Sequence, residues 1–191
     1  MSTLILAFAA ALMADEAELR ETFSRDIQAK EASARAAAVK KLSGAREHQT
    51  VELLAASLKD ADLEVRKATA ETLAGVSDGG GAAIKPLGEI VVDKKEDLDL
   101  RLACAKALGA ALYRSDSLPY LFKVIWEIES AERQFHKFGA QVTAIIDKVT
   151  GKSFGAVKET PERWQEWWSD HKDELVQEDA KKKEEWKKAQ R

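Results

Sequence analysis

Apolar positions recur at helical spacing along nearly the whole chain, and they do so in blocks that repeat. The clearest block is Asp62 to Gly75 (DLEVRKATAETLAG), with an acid at its start, small and apolar positions three and four apart, and a glycine just past its end. That pattern predicts one amphipathic, well-terminated helix. Residues 31–44 (EASARAAAVKKLSG) and 97–110 (DLDLRLACAKALGA) follow the same template, Arg-x-Ala-x-small-x-x-Leu. A degenerate fourth copy runs from Val142 to Gly151, with Val142 in the arginine slot. The anchors therefore fall at 35, 66, 101 and 142, spaced by 31, 35 and 41 residues, with the extra length in the connections.

A second helix precedes each anchor helix. Leu19, Phe23 and Ile27 recur every four residues in 15–29, and further apolar runs span 50–58, 82–92 and 118–128. Pro86 and Pro119 are expected near the starts of the last two, with Ser115-Asp116-Ser117 introducing the helix at 118. The run Ser77 to Gly81 (SDGGG) predicts a break. Each unit is thus a helix, a turn and a second helix, and the predicted class is all-α.

The pattern D/E-x-x-x-R-x-A-x-A-x-x-L-x-G at this period resembles the HEAT-like repeats, especially the short bacterial type named for phycobilisome lyases. The resemblance covers about residues 16–151. It implies a right-handed α-α superhelix, a HEAT-like solenoid of about four helical hairpins with a C-terminal helical extension. It also implies that Arg35, Arg66 and Arg101 tie successive repeats together. The acids Glu31, Asp62 and Asp97 stand four residues before them, which places acid and arginine on one helix face. Members of the family do many things, so the resemblance says little about chemistry.

Residues 152–168 (KSFGAVKETPERWQEWW) break the pattern. Lys152 to Gly155 predicts a turn, Thr160 an N-cap with Pro161 at the first helical position. The segment is similar to tails attached to HEAT-like arrays in some environmental bacteria. Trp164, Trp167 and Trp168 then share a helix face at i, i+3 and i+4. They either cap the open end of the array or offer an aromatic contact for a partner or a carbohydrate. Their place directly after the last repeat, with Phe154 beside them, favours the cap; Trp126, Phe135 and Phe138 are expected at the same end. Residues 169–191 carry Glu178/Lys182, Asp179/Lys183 and Glu184/Lys188 at i,i+4 and read as a solvated charged helix.

The N-terminus, residues 1–14 (MSTLILAFAAALMA), holds an uncharged apolar run from Leu4 to Met13. That run is too short to span a bilayer and has the length of a signal-peptide core, although no Lys or Arg precedes it. Cleavage after Ala14 and export, with a periplasmic location, are the expectation; the alternative is a cytoplasmic protein that retains the segment as a helix. No membrane insertion is expected after cleavage.

Composition narrows the functional classes. The 191 residues carry 30 basic against 33 acidic side chains, a net charge of −3. The strong basic footprint of a nucleic-acid binder is missing. The single cysteine, Cys104, stands where the other copies have Ala38, Thr69 and Ile145, and no activating base is apparent for it. His48, His136 and His171 lie far apart and do not make a metal motif. The glycines at 79–81 lack the strand and the Lys-Ser/Thr of a phosphate-binding loop. No catalytic, cofactor or metal residues are assigned.

The candidate partner contacts lie one and five positions after each anchor: Lys40, Lys67, Glu71, Leu102, Lys106 and Asp147. In a solenoid such positions align along the concave surface. The fifth position reads plus, minus, plus, minus, which suits a protein partner or plain solvation better than a phosphate backbone. A non-catalytic protein-binding scaffold is the expectation. The alternatives are lyase-like or chaperone-like handling of a tetrapyrrole, implied only by the resemblance, and nucleic-acid binding by the array.

Overall fold

The computed structural model describes residues 16–76, 81–127, 133–154 and 161–189, apart from the side chains of 133–136. The apolar N-terminal run, the SDGG part of the glycine loop, Thr160, and the side chains of Phe135 and His136 lie outside the described residues. Within them the chain is helical, with no strand: α1 (residues 16–26), α2 (Ala32–Lys41), α3 (His48–Ala56), α4 (Leu63–Leu73), α5 (Ile84–Val92), α6 (Leu98–Ala110), α7 (Arg114–Trp126), α8 (Arg133–Thr150) and α9 (Pro161–Ala189). A 3-10 turn, Ser57–Lys59, follows α3.

The acids of the repeat template do local work. Asp62 accepts a hydrogen bond from the Glu64 amide at 2.9 Å, and Asp97 accepts one from the Leu100 amide at 3.0 Å, so each caps its own anchor helix. Glu31 makes no side-chain cap. Gly44 and Gly151 take positive φ, 91° and 69°, just past α2 and α8, where a side chain would be strained.

The anchor helices α2, α4, α6 and α8 pack one on the next, forming an inner layer, while α3, α5 and α7 pack beside them as an outer layer. The core between the layers is continuous, running from Phe23 and Val39 through Leu54, Val65, Leu100 and Leu121 to Ile146 and Trp164. Each fully enclosed leucine, valine or aromatic there contributes about 1.5–3 kcal/mol of transfer free energy. The result is an all-α helical-repeat solenoid. Within each layer successive helices approach closely at glycine: a Cβ on Gly88 of α5 would fall 2.4–2.5 Å from ring atoms of Tyr120 on α7, and one on Gly109 of α6 would meet the Ile145 methyl on α8 at 2.3 Å.

Two elements differ from the sequence expectation. Helix α7 begins at Arg114, not at 118, so Ser115, Asp116 and Ser117 form its first turn and Pro119 sits inside it. The ring there removes the N–H that would reach the Ser115 carbonyl one turn back. The residue before the helix, Tyr113, supplies no side-chain cap. The cap comes from elsewhere in the chain: Asp179 on α9 accepts a hydrogen bond from the Ser115 amide at 2.6 Å.

The second difference is α9, one helix of 29 residues that runs straight through the boundary expected at 168/169. Its charged part is docked in places instead of solvated throughout. The i,i+4 pairs read from the sequence are replaced by contacts to α7: Glu178 pairs with Arg114 at 2.5 Å and Lys183 with Asp116 at 2.5 Å. Within α9, Lys182 meets Asp179 at 3.1 Å and Lys187 meets Glu184 at 3.0 Å, both at i,i+3. The same device serves α3, which also lacks its own side-chain cap. Glu16 on α1 accepts from the Arg46 and Glu47 amides at 2.8 and 3.1 Å.

Candidate interaction surface

The arginine ladder is built into the scaffold. Arg35 reaches forward to the next unit, where its Nε and Nη2 donate to the two carboxylate oxygens of Asp60, both at 2.8 Å. Its Nη1 donates to the carbonyls of Ala29 and Lys30. The bidentate guanidinium holds the Asp60 carboxyl below its ordinary value, against the opposing effect of burial. Arg66 repeats the arrangement, with Nη2 on Glu96 at 3.2 Å and Nη1 on the Asp60 and Ala61 carbonyls. The partners are therefore Asp60 and Glu96, six and five residues before the following anchor, and not the acids four residues before the arginine itself. Of the latter, Asp62 and Asp97 point instead at the helix amides they cap.

Arg101 has no acid at the matching sequence positions. Five and six residues before Val142 stand Lys137 and His136. The Arg101 side chain is enclosed, 4% exposed, with Nε donating to the Val91 carbonyl at 2.9 Å and the guanidinium 4.6 Å from the centre of the Phe138 ring. Its Nη1 is buried without an acceptor. Burial lowers its pKa, with Asp93 and Glu127 acting in the opposite sense.

The inner-helix column has a different composition from the one the repeat alignment proposes. Lys40, Glu71 and Lys106 are exposed on α2, α4 and α6. Lys67 is only 23% exposed and lies 3.6 Å from Glu64, 3.6 Å from Asp97 and 3.9 Å from Asp99. Burial works against its charge, but the carboxylates of Asp97, Glu64 and Asp99 outweigh it and raise the pKa. Lys67 thus joins α4 to the start of α6. Leu102 is half-buried and packs on the core.

Asp147 departs from the column. It is half-buried, with Oδ1 enclosed and unpaired, and the exposed position of that turn is Lys148, one residue further. The cause lies in the anchor: Val142 and Thr143 are both buried on α8, whereas the position after the anchor is half-exposed in the three arginine copies. The buried stripe of α8 is thereby turned by about one position. The exposed face carries Lys40, Glu71, Lys106 and Lys148, flanked by exposed Glu64 and Asp99 near the helix starts. Its sign is mixed.

At the far end, the aromatic residues form one cluster around Phe122 of α7. Its ring centre lies 5.8 Å from Trp126, 5.7 Å from Trp164, 6.4 Å from Trp167 and 5.6 Å from Trp168. Trp164 also meets Phe154 edge-on at 4.6 Å and Trp167 at 5.8 Å. Trp164 is 0% exposed, which removes it from any contact surface, while Trp167 and Trp168 are half-buried. Phe138 is not part of this cluster but lies under Arg101.

The remaining reactive groups are dispersed. Cys104 is enclosed, and burial pushes its thiol up to about 12, so the thiolate is scarce near neutral pH. His48 pairs with Glu52 at 3.1 Å and His171 stacks on Trp167 with centroids 4.5 Å apart. Among the described residues no group of three His, Cys, Asp or Glu side chains is placed to hold a metal ion. None of their helices is long and apolar enough to cross a membrane.

Sequence reasoning missed Asp60, Glu96, Glu16, Glu178 and Asp179. For the first two a signal existed, an acid five or six residues before the next anchor. For the others none did, since the pairings join residues 30 to 64 positions apart.

Comparison with known proteins matches residues 24–109 to the family of HEAT repeats. No curated protein matches the chain significantly. The matched stretch takes in α2 to α6 and the arginine ladder, so this part of the chain is similar to HEAT repeats, and the described residues form an all-α helical-repeat solenoid.

Proposed function

We propose that this protein is a non-catalytic scaffold that binds a protein partner along the exposed face of its inner helices. The observation that carries this is the alignment of Lys40, Glu71, Lys106 and Lys148 on successive stacked helices, with Glu64 and Asp99 beside them. Repeat arrays use such extended faces for binding. The mixed sign fits a protein surface of complementary pattern and disfavours a nucleic-acid backbone, which calls for cations throughout. The scarce thiolate of Cys104 and the separation of the histidines also favour binding over catalysis.

The test is affinity capture with the wild type and a Lys40→Ala/Glu71→Ala/Lys106→Ala/Lys148→Ala variant. All four side chains are exposed, so the fold should persist, as circular dichroism would check. The variant is expected to lose the specific partners that the wild type retains. Equal recovery by both proteins would remove this face as the binding surface.

We further propose that the protein is exported from a bacterial cell, with residues 1–14 as the signal peptide. Support comes from the apolar run itself, which has the length of a signal-peptide core. Mass spectrometry of the protein from its native host should find an N-terminus at Asp15; a retained Met1 would overturn export.

A further inference from the structure

Helix α9 makes two kinds of contact along its length. From Pro161 to His171 it is held by the aromatic cluster, with Trp164 fully enclosed. Lys172, Asp173 and Glu174 are then all exposed. Beyond them Leu175 is buried, and the hold becomes largely polar. Glu178 accepts from Arg114, and Lys183 donates to Asp116 while standing 5.1 Å from the centre of the Tyr113 ring. Lys182 donates to Asp179 at 3.1 Å and to the Leu112 carbonyl at 3.2 Å. At the far end Trp186 sits edge-on to His48, their ring centres 5.8 Å apart, at the start of α3.

Asp179 is the centre of this second set. It is 1% exposed, the one carboxylate among the described residues that is buried, and it meets the Ser115 amide at the positive end of α7. An anion is favoured there by the unsatisfied amides and the helix dipole, and α7 brings no capping side chain of its own.

We propose that residues 175–189 are a strap that opens as a unit of its own, latched by Asp179 on the N-terminus of α7, while the tryptophan-anchored half of α9 stays docked. The two halves differ in what holds them. Aromatic burial is insensitive to modest salt, whereas the Arg114–Glu178 and Lys183–Asp116 pairs are partly open to solvent and are screened as the Debye length falls from about 10 Å at 0.1 M to about 3 Å at 1 M. Opening uncovers the first turn of α7 and the already exposed Leu112.

Hydrogen exchange on the full chain, read by mass spectrometry, tests this. Raising sodium chloride from about 0.05 M to about 1 M should speed exchange in residues 175–189 and in the first turn of α7 by about tenfold, with residues 161–171 unchanged. Asp179→Ala should do the same at low salt by about tenfold, and Asp179→Asn, which keeps an acceptor for the Ser115 amide, should do so less. Acceleration spread evenly over 161–189 would show that α9 opens as one piece and overturn the strap. Exchange that ignores both salt and Asp179→Ala would overturn the latch, and the salt series on the wild type needs no variant to fold.

Discussion

Trp164→Ala should lower the free energy of unfolding by about 3–5 kcal/mol, the range for removing an enclosed large aromatic side chain. Trp164 is 0% exposed and touches the rings of Phe122, Phe154 and Trp167, so its loss opens a cavity where α7, α9 and the turn after α8 meet. Collapse around that cavity is restricted, because the surrounding rings are large and already packed on one another. Urea unfolding followed by far-ultraviolet circular dichroism measures the change without relying on the tryptophan signal that the substitution removes. Trp164→Phe should cost less than about 1.5 kcal/mol, as it keeps most of the aromatic volume. It also removes an indole N–H that is buried without an acceptor. A loss below about 1 kcal/mol for the alanine variant would mean that the cluster does not close the end of the array.

Gly88→Ala should destabilise the protein by about 1–3 kcal/mol although it replaces glycine inside a helix. Helix propensity alone predicts a gain of about 0.5–1 kcal/mol. Packing opposes it: the new methyl would lie 2.4–2.5 Å from three ring atoms of Tyr120, including the one bonded to the Tyr120 Cβ. That atom cannot swing away as a chain end could, so α5 and α7 must separate. Well-packed interiors resist such displacement, and the steric cost exceeds the propensity gain. In a double-mutant cycle, Tyr120→Ala should cancel most of the penalty and leave Gly88→Ala neutral or stabilising. A stabilising Gly88→Ala in the presence of Tyr120 would contradict the close α5–α7 approach.

Much of the repeat architecture was legible because it depends on local pattern. The Arg-x-Ala-x-small-x-x-Leu template located α2, α4 and α6, and even the degenerate copy located the end of α8. The caps at Asp62 and Asp97 were legible as helix starts, since a cap acts within three residues of itself. The arginine partners were half legible. That Arg35 and Arg66 bind the scaffold followed from the resemblance, but their acids were placed four residues before the arginine, whereas the structure places them just before the next anchor helix. The start of α7 was misread because Ser115-Asp116-Ser117 looks like a cap and Pro119 like a first helical residue. Asp179 overrides both by capping the helix from 64 positions away.

The candidate surface divides in the same way. Lys40, Glu71 and Lys106 could be read from the template because the arginine anchors hold α2, α4 and α6 in one orientation. Asp147 could not: Thr143 is buried where the residue after each arginine anchor is partly exposed, and the turned helix presents Lys148.

The sequence by itself determined which segments are helices, that they pair into repeats, and which face of each is apolar. Those properties arise from periodicity and from contacts within one turn of helix. Only the tertiary structure decided which charges remain free for a partner, because Lys67, Glu178, Asp179 and Lys183 are drawn into contacts with residues remote in the chain. It also decided that the charged C-terminal stretch belongs to the body of the molecule, since a helix N-terminus without a cap of its own attracts a carboxylate from wherever the fold can deliver one.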